Sequence, residues 1–431
     1  MKVCVAGLWH LGSVTAACLT AAGHEVVGLD PDPTVVARLA EGIPPLFEPG
    51  LEDLTRTGVA GGRLRFTTDA AGAVPAADVV WITADTPVDS DDRADVESVV
   101  ASTVALFPHL RDGALVLVSS QLPVGTTARL ERAFSEAAVG RAVGFAYSPE
   151  NLRLGKAIDV FTHPDRVVAG VRTARDREVI AELLRPFTDR IEWMSVESAE
   201  MTKHALNAFL ATSVTFINEI AALCEQVGAD AAEVARGLKS EARIGPGAYL
   251  SPGGAFAGGT LARDVMFLSQ LGHDRGVATH LLSSVKTSND AHRQWAQRRL
   301  ADVIGPLDGK RIAVWGLTYK PGTDTLRRSS AVELCDWLGA RGALVRAHDP
   351  AVRALPADLA RAELAPDPLG AVDGASALVV ATAWPEYRTV DAAQVAARMT
   401  GRVVLDANGF LSATLGREPQ FDYFTVGKAA R

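Results

Sequence analysis

Cysteine is scarce in this 431-residue chain: Cys4, Cys18, Cys224 and Cys335 are the full set, with no CxxC pair and no histidine at ligand spacing. That spacing excludes a zinc ribbon or a disulfide framework, so no metal is expected, and it fits a reducing, cytoplasmic compartment. Positive charge is also short, with 43 Lys and Arg against 51 Asp and Glu and a formal net charge of −8. Binding to a phosphate backbone draws on cationic surface, so no nucleic-acid partner is expected. No apolar run reads as long and uninterrupted enough to cross a bilayer, so no membrane partner is expected either. The apolar stretch 3–22 has the length of a signal peptide, but Gly7, His10 and Gly12 interrupt it and "HEVVGLD" follows as a strand.

What the chain does have is apolar bulk, 48% of its residues, and a length that one core does not organise. Short β-branched runs alternate with helical patterns from the start: "KVCVAG", a helix through "SVTAACLTAAG", then "HEVVGLD", "DVVWITA", "ALVLVSS", "DRVVAG" and "RIEWMS". Alternation of this kind implies a parallel sheet covered on both faces. From Ser198 to Val227 there is neither proline nor glycine, which predicts a helix of roughly 45 Å at ~1.5 Å per residue. In it Phe209, Phe216, Ile217, Ile220 and Cys224 recur at helical spacing and read as a buried stripe, which makes Cys224 a core residue. The alternation then resumes with "RIAVWGL", "ALVRAHDP", "ALVVATAW" and "RVVLDANG". The expected fold class is α/β: two Rossmann-like, doubly wound parallel-sheet domains, residues 1–195 and 301–431, joined by a long central helix in a helical middle domain, residues 196–300.

"VAGLWHLGSVTAAC" follows the first strand and opens the first helix, where a glycine turn presents backbone N–H groups to a pyrophosphate. Gly7 and Gly12 occupy the first and third glycine positions. Asp30 ends the second strand, where a carboxylate accepts ribose hydroxyls and repels the extra phosphate of NADP, so NAD is the expected cofactor. The middle glycine is replaced by Trp9, whose indole must point away from the ligand or shift it. A strand-to-helix turn with no dinucleotide stays open on these residues alone.

Further motifs occur in a fixed order: "FEPGLEDL", "ADTPVDS" with Asp95 downstream, "SSQLPVGTT", "SPENLRLGKAIDVFTHPDRVVAG", "AEMTKHALNAFLATSVTFINE", "EARIG" and "GLTYKPGTDTLRRSS". On these the chain resembles the UDP-glucose/GDP-mannose dehydrogenase family over nearly its whole length. The resemblance implies an NAD-binding domain, a nucleotide-sugar substrate held by the C-terminal domain, and a homodimer made through the central helix. It also implies oxidation of a sugar C6 alcohol to a carboxylate in two hydride transfers through a cysteine thiohemiacetal and thioester. Carried over position by position, it implies cofactor contact for Gly7, Trp9, His10, Leu11, Gly12, Asp30, Thr86, Gln121, Arg263 and Arg327. Substrate contact is implied for Leu152, Arg153, Lys203, Asn207, Arg243, Tyr249, Leu250, Gly253, Ala257 and Lys320, with Asp324 on the same turn as Lys320. The implied catalytic set is Lys203, Asn207, Asp264, Glu150 and Thr260. Lys203 and Asn207 lie four apart on the helix and hence on one face; a solvated face is the alternative reading of that pair. Asp264 pairs naturally with Lys203 to hold a water that takes the alcohol proton, and Glu150 can orient or deprotonate a water. His204, one position round, reads as a packed or surface histidine without a role.

The chain departs from the family where the chemistry sits. In "GGAFAGGTLARDV", residues 253–265, Thr260 stands where the family has its nucleophilic cysteine, Arg263 replaces a lysine and Ala257 a glycine. Gln121 replaces a threonine, Leu154 an acidic residue, and Ser213 stands at a position often basic. A thiol ionises near pH ~8.5, whereas a secondary alcohol lacks that accessible anion and is sterically poor besides. The expected activity is therefore NAD-dependent oxidation of a nucleotide sugar without a covalent thioester, stopping at an aldehyde or ketone. Full oxidation through a hydrated aldehyde without covalent capture, an epimerase or isomerase that retains its NADH, and a silent nucleotide-sugar binding protein are the alternatives left open.

Overall fold

The computed structural model describes residues 1–87, 94–257, 259–326, 329–356, 359 and 361–429. The chain divides into two compact units, residues 1–205 and 206–431. The first is built on eight strands: β1 (Lys2–Ala6), β2 (Glu25–Leu29), β3 (Leu64–Thr67), β4 (Val79–Ile82), β5 (Leu115–Val118), β6 (Gly144–Tyr147), β7 (Val167–Gly170) and β8 (Ile191–Met194). Their order in the sheet is β3-β2-β1-β4-β5-β6-β7-β8. All pairs are parallel except β6 with β7, which meet antiparallel at Tyr147 and Gly170. The second unit holds β9 (Arg311–Trp315), β10 (Leu344–His348), β11 (Ala362–Leu364), β12 (Ala377–Val380), β13 (Val403–Asp406) and β14 (Asp422–Phe424), ordered β11-β10-β9-β12-β13-β14. This is the doubly wound arrangement expected, and each sheet reverses direction beside its first strand, where such folds bind ligands.

Strand residues are apolar on both sides because each sheet is buried on both faces. Val3 and Val5 of β1 join one core with Val79 and Trp81 of β4, while Cys4 and Ala6 join the opposite core with Val80 and Ile82. Ile312 and Val314 of β9 face one core of the second unit, and Ala313 and Trp315 the other. Both first turns are shaped alike. Gly7, at φ +96°, donates to the Leu29 carbonyl at 2.9 Å, and Gly316, at φ +90°, donates to His348 at 2.7 Å. A Cβ on Gly7 would lie 2.5 Å from Ala84 Cα, and one on Gly316 would lie 2.4 Å from Thr382 Cβ.

The glycine-free stretch forms one helix, Val196–Val227, of 32 residues, about 48 Å at ~1.5 Å per residue. The expected buried stripe on it is corrected in part. Ile217 and Cys224 are buried, but Phe209 is 68% and Phe216 47% exposed. The helix turns its small and polar residues inward (His204, Asn207, Ala208, Ala211, Asn218, Ala221), which leaves the phenylalanines on a different face. The expectation that no run could cross a bilayer also needs correcting. An 18-residue window of this helix has hydropathy 1.4 with at most two charges, so by length and composition alone it qualifies, although 44% of that window is buried inside the protein.

The turn glycines yield a first prediction. Gly12→Ala places a Cβ 1.8 Å from the Gly7 carbonyl oxygen. Urea denaturation should show a loss of about 1–3 kcal/mol from overpacking, and an unchanged midpoint would contradict the close approach.

Candidate active site

The turn after β1 leads into the helix His10–Ala21. Gly7 and Gly12 are required by the backbone itself, since each would clash as any other residue. Position 9 carries no such demand: Trp9 has φ −72°, an ordinary value, and its side chain is 46% exposed, so the indole is not folded into the unit's interior. Asp30 Oδ2 accepts the Leu8 N–H at 2.8 Å and Oδ1 the Asp32 N–H at 3.0 Å. A carboxylate offers about four lone-pair sites, so Asp30 retains capacity for ribose hydroxyls. Thr86 and Gln121 are brought together, the Thr86 hydroxyl donating to the Gln121 carbonyl at 2.9 Å. This donor and acceptor set fits a dinucleotide. Arg327 lies outside the described residues, and Arg263 is buried on the helix Thr260–Asp274 of the second unit.

Also in the first unit, the loop after β6 meets the central helix. Lys203 is buried, and its ammonium donates to the Glu150 carbonyl at 2.5 Å with Glu150 Oε1 at 3.6 Å. A buried cation needs such partners, and the solvated-face reading of Lys203 and Asn207 fails because both are buried. Glu150 Oε2 accepts the Leu152 N–H at 2.8 Å, while Arg153 is exposed. One turn before Lys203, the fully buried Glu200 accepts Gly125 N–H at 2.6 Å and Thr127 N–H at 2.9 Å, capping the helix Thr126–Ala137. His204 is packed, with Nε2 2.8 Å from the Leu122 carbonyl.

Within the second unit, the Asn207 amide donates to Asp264 Oδ2, and both residues are buried. Asp264 lies on the helix that begins at the exposed Thr260, behind Gly259 at φ +105°. The glycine loop ahead of it is clamped by four polar side chains. Asn218 Oδ1 accepts Gly253 N–H at 3.1 Å, His292 Nε2 lies 2.8 Å from the Gly253 carbonyl, and Asn408 Oδ1 accepts Gly254 N–H at 2.9 Å. Asn289 takes both backbone groups of Phe256, accepting its N–H at 3.0 Å and donating to its carbonyl at 2.9 Å. A cleft opens beside this loop, lined by Ala257, His292, Ser330, Ala381 and Asn408. Burial holds the His292 imidazole pKa below the ordinary histidine value.

Of the other candidates here, Tyr249 is exposed and Leu250 buried. Lys320 is half-buried beyond β9 and close in sequence to Asp324. Arg243 is exposed and pairs with Glu241 at 2.9 Å, which holds the Glu241 carboxyl below the usual range. The sequence reading missed Glu200, Asn289, His292 and Asn408. Glu200 and Asn218 stood inside a quoted motif, yet only contacts reveal what they hold.

All four cysteines are free and buried. Burial pushes the thiols of Cys4, Cys18 and Cys335 up to about 12, far from a thiolate at neutral pH. Among the described residues no group of three His, Cys, Asp or Glu side chains could hold a metal ion.

Three family models match in succession: the UDP-glucose/GDP-mannose dehydrogenase family NAD binding domain over residues 1–188, its central domain over 197–291 and its UDP binding domain over 313–413. A UDP-glucose 6-dehydrogenase of Pseudomonas aeruginosa is 34% identical, across 99% of this chain and 98% of its own. A UDP-glucose 6-dehydrogenase of Rhizobium meliloti is 36% identical, across 99% of this chain and 100% of its own. Among solved structures, a UDP-glucose dehydrogenase from Pyrobaculum islandicum superposes with a TM-score of 0.89 at 33% identity, covering 99% of this chain and 98% of that one.

The clamp on the glycine loop can be tested directly. Asn289→Ala leaves both backbone groups of Phe256 without their partner, which should cost about 1–3 kcal/mol in chemical denaturation. A change within error would show that the loop does not depend on it.

Proposed function

Because the chain belongs to the UDP-glucose/GDP-mannose dehydrogenase family and is an NAD-dependent nucleotide-sugar dehydrogenase, we propose that it oxidises its substrate by two electrons and releases a carbonyl product without a covalent adduct. The observation that carries this reading is Thr260: an exposed threonine opens the helix where the family resemblance calls for a cysteine, and every cysteine of the chain is buried. UDP-glucose, the substrate in the names of the two curated relatives, is the first compound to test.

The Gly7–Gly12 turn and Asp30 would hold NAD+, which when bound would supply the hydride acceptor, while the substrate's hydroxyl proton goes to a water. The residues do the rest. Lys203 and Asn207, one helical turn apart, direct an ammonium and an amide at the substrate oxygen. Asp264, hydrogen-bonded to Asn207, takes the proton from that water. Glu150 is oriented by the Lys203 ammonium and positions the substrate-facing loop. Thr260 donates or accepts a hydrogen bond and forms no bond to carbon, because a β-branched secondary alcohol needs a dedicated base to become a nucleophile and is sterically poor besides. Lys320 contributes a cationic contact to the diphosphate-bearing substrate, and Arg243 one to the substrate of the neighbouring subunit.

The second part of the proposal is a homodimer through the central helix. Phe209, Phe216, Leu223 and Val227 recur at helical spacing and are 68, 47, 62 and 76% exposed, a stripe that asks for an apolar partner. A second copy of the chain supplies one of identical chemistry. Phe209→Glu with Phe216→Glu should shift the mass in sedimentation from dimer to monomer; an unchanged mass would remove this face from the interface.

The redox proposal is tested by incubating a panel of nucleotide sugars with NAD+ and counting NADH formed per sugar consumed. One is expected, with an aldehyde or ketone that hydroxylamine traps. A ratio of two would overturn the two-electron reading, and label exchange without net NADH would identify an epimerase instead.

A further inference from the structure

The motif "FEPGLEDL" has so far no part in the function, yet its glutamate is one of the most constrained side chains of the first unit. Glu48 is 4% exposed. Its Oε1 accepts the Ala157 N–H at 2.8 Å, and its Oε2 accepts the Gly155 N–H at 2.8 Å while lying 3.0 Å from His10 Nε2. Gly155 and Ala157 close the loop that begins at Glu150 and open the helix Ala157–Thr162. His10 is the first residue of the helix behind the dinucleotide turn. One buried carboxylate therefore ties the cofactor turn to the loop carrying Glu150, Leu152 and Arg153, with no other side chain between.

We infer that His10 and Glu48 are positioning residues that transmit occupancy of the dinucleotide turn to the 150–157 loop. A pyrophosphate held by backbone N–H groups at the start of the His10–Ala21 helix restrains the residue that bears the imidazole. The imidazole in turn restrains Glu48, whose two oxygens hold the loop amides. Opening of the loop is then costlier when the turn is filled, and by linkage a loop held closed by substrate raises affinity at the turn by the same factor. The carboxylate suits this task because an amide in its place has one acceptor oxygen for three donors. What the coupling does for substrate rests on the substrate-facing role of Glu150, Leu152 and Arg153 proposed above; the coupling itself needs only NAD+.

Hydrogen exchange measured by mass spectrometry on peptides covering residues 151–162, with and without saturating NAD+, reads it out. In the unsubstituted protein NAD+ should slow exchange at these amides about tenfold. His10→Ala, with NAD+ raised to saturation as judged by calorimetry, should abolish that slowing. His10→Gln, which keeps a donor for Glu48, should retain part of it. Glu48→Gln should exchange fast in both states while the His10 helix still binds NAD+. If NAD+ fails to protect this loop in the unsubstituted protein, or protects it equally in His10→Ala, the inference is wrong. The sugar product and NADH count play no role in the measurement, so the two-electron proposal can fail without touching this one.

Discussion

A buried or half-buried carboxylate accepting backbone N–H groups is the interaction on which the loops of both units depend. Asp30 holds Leu8, Glu48 holds Gly155 and Ala157, Glu200 holds Gly125 and Thr127, and Asp349 holds Leu317 and Thr318. Loops at the ends of parallel strands leave amide donors that no ladder satisfies, and a charged acceptor forms the stronger kind of hydrogen bond with them. Removing such a carboxyl leaves two orphaned donors as well as a cavity. The strand ends can therefore present ligand-binding backbone without the loops collapsing.

The two units use the same turn for different ends, and the carboxylate explains the difference. Asp30 and Asp349 both follow the second strand of their sheets, and both brace the glycine turn after the first. Asp30 takes one N–H on each oxygen and is half-buried. Asp349 is buried, with Oδ2 shared among the Leu317 and Thr318 amides, the Thr318 hydroxyl and the Trp384 indole N–H, and Oδ1 taken by Ala351. A saturated, enclosed carboxylate has nothing left for a ribose. The turn of the second unit thus offers no carboxylate to a ribose, and a cleft of that unit lies against the glycine loop at Gly254 and the ends of β12 and β13.

How far the sequence can be read follows from which interactions are local. Strand alternation, the glycine turn, Asp30 and the long helix are written in neighbouring residues, and the structure has them where the pattern put them. Lys203, Glu150, Asn207 and Asp264 are legible as site residues only through family resemblance, which paired Asp264 with Lys203; the hydrogen bonds of Lys203 to Glu150 and of Asn207 to Asp264 carry no sequence signal, because 53 and 57 residues separate the partners. Asn289, His292 and Asn408 bind backbone of a loop up to 154 residues away and carry no spacing signal at all. The misplaced phenylalanines show the same limit from the other side. Periodicity predicts that Phe209 and Phe216 share a face, but small residues at 208, 211 and 221 decide which face packs inside.

Trp9 and Thr260 then belong to one line of reasoning. A glycine is indispensable where a Cβ would strike backbone, as at Gly7 and Gly12, and dispensable where φ is negative and the side chain has open space, as at Trp9. A tryptophan there is therefore compatible with the fold of the turn, and on the proposed reading it changes only what the cofactor would meet. Thr260 is likewise a replacement at an exposed helix start, where a hydroxyl is sterically and conformationally acceptable. On the proposed reading both positions face ligand, and the scaffold's buried bonds are intact beside them: Lys203, Asn207 and Asp264 are enclosed and partnered. Loss of function without selection would strike the costly buried polar groups as readily as the exposed ones. Their retention beside Thr260 is what the proposed two-electron reaction would require: proton handling and orientation kept, covalent capture given up.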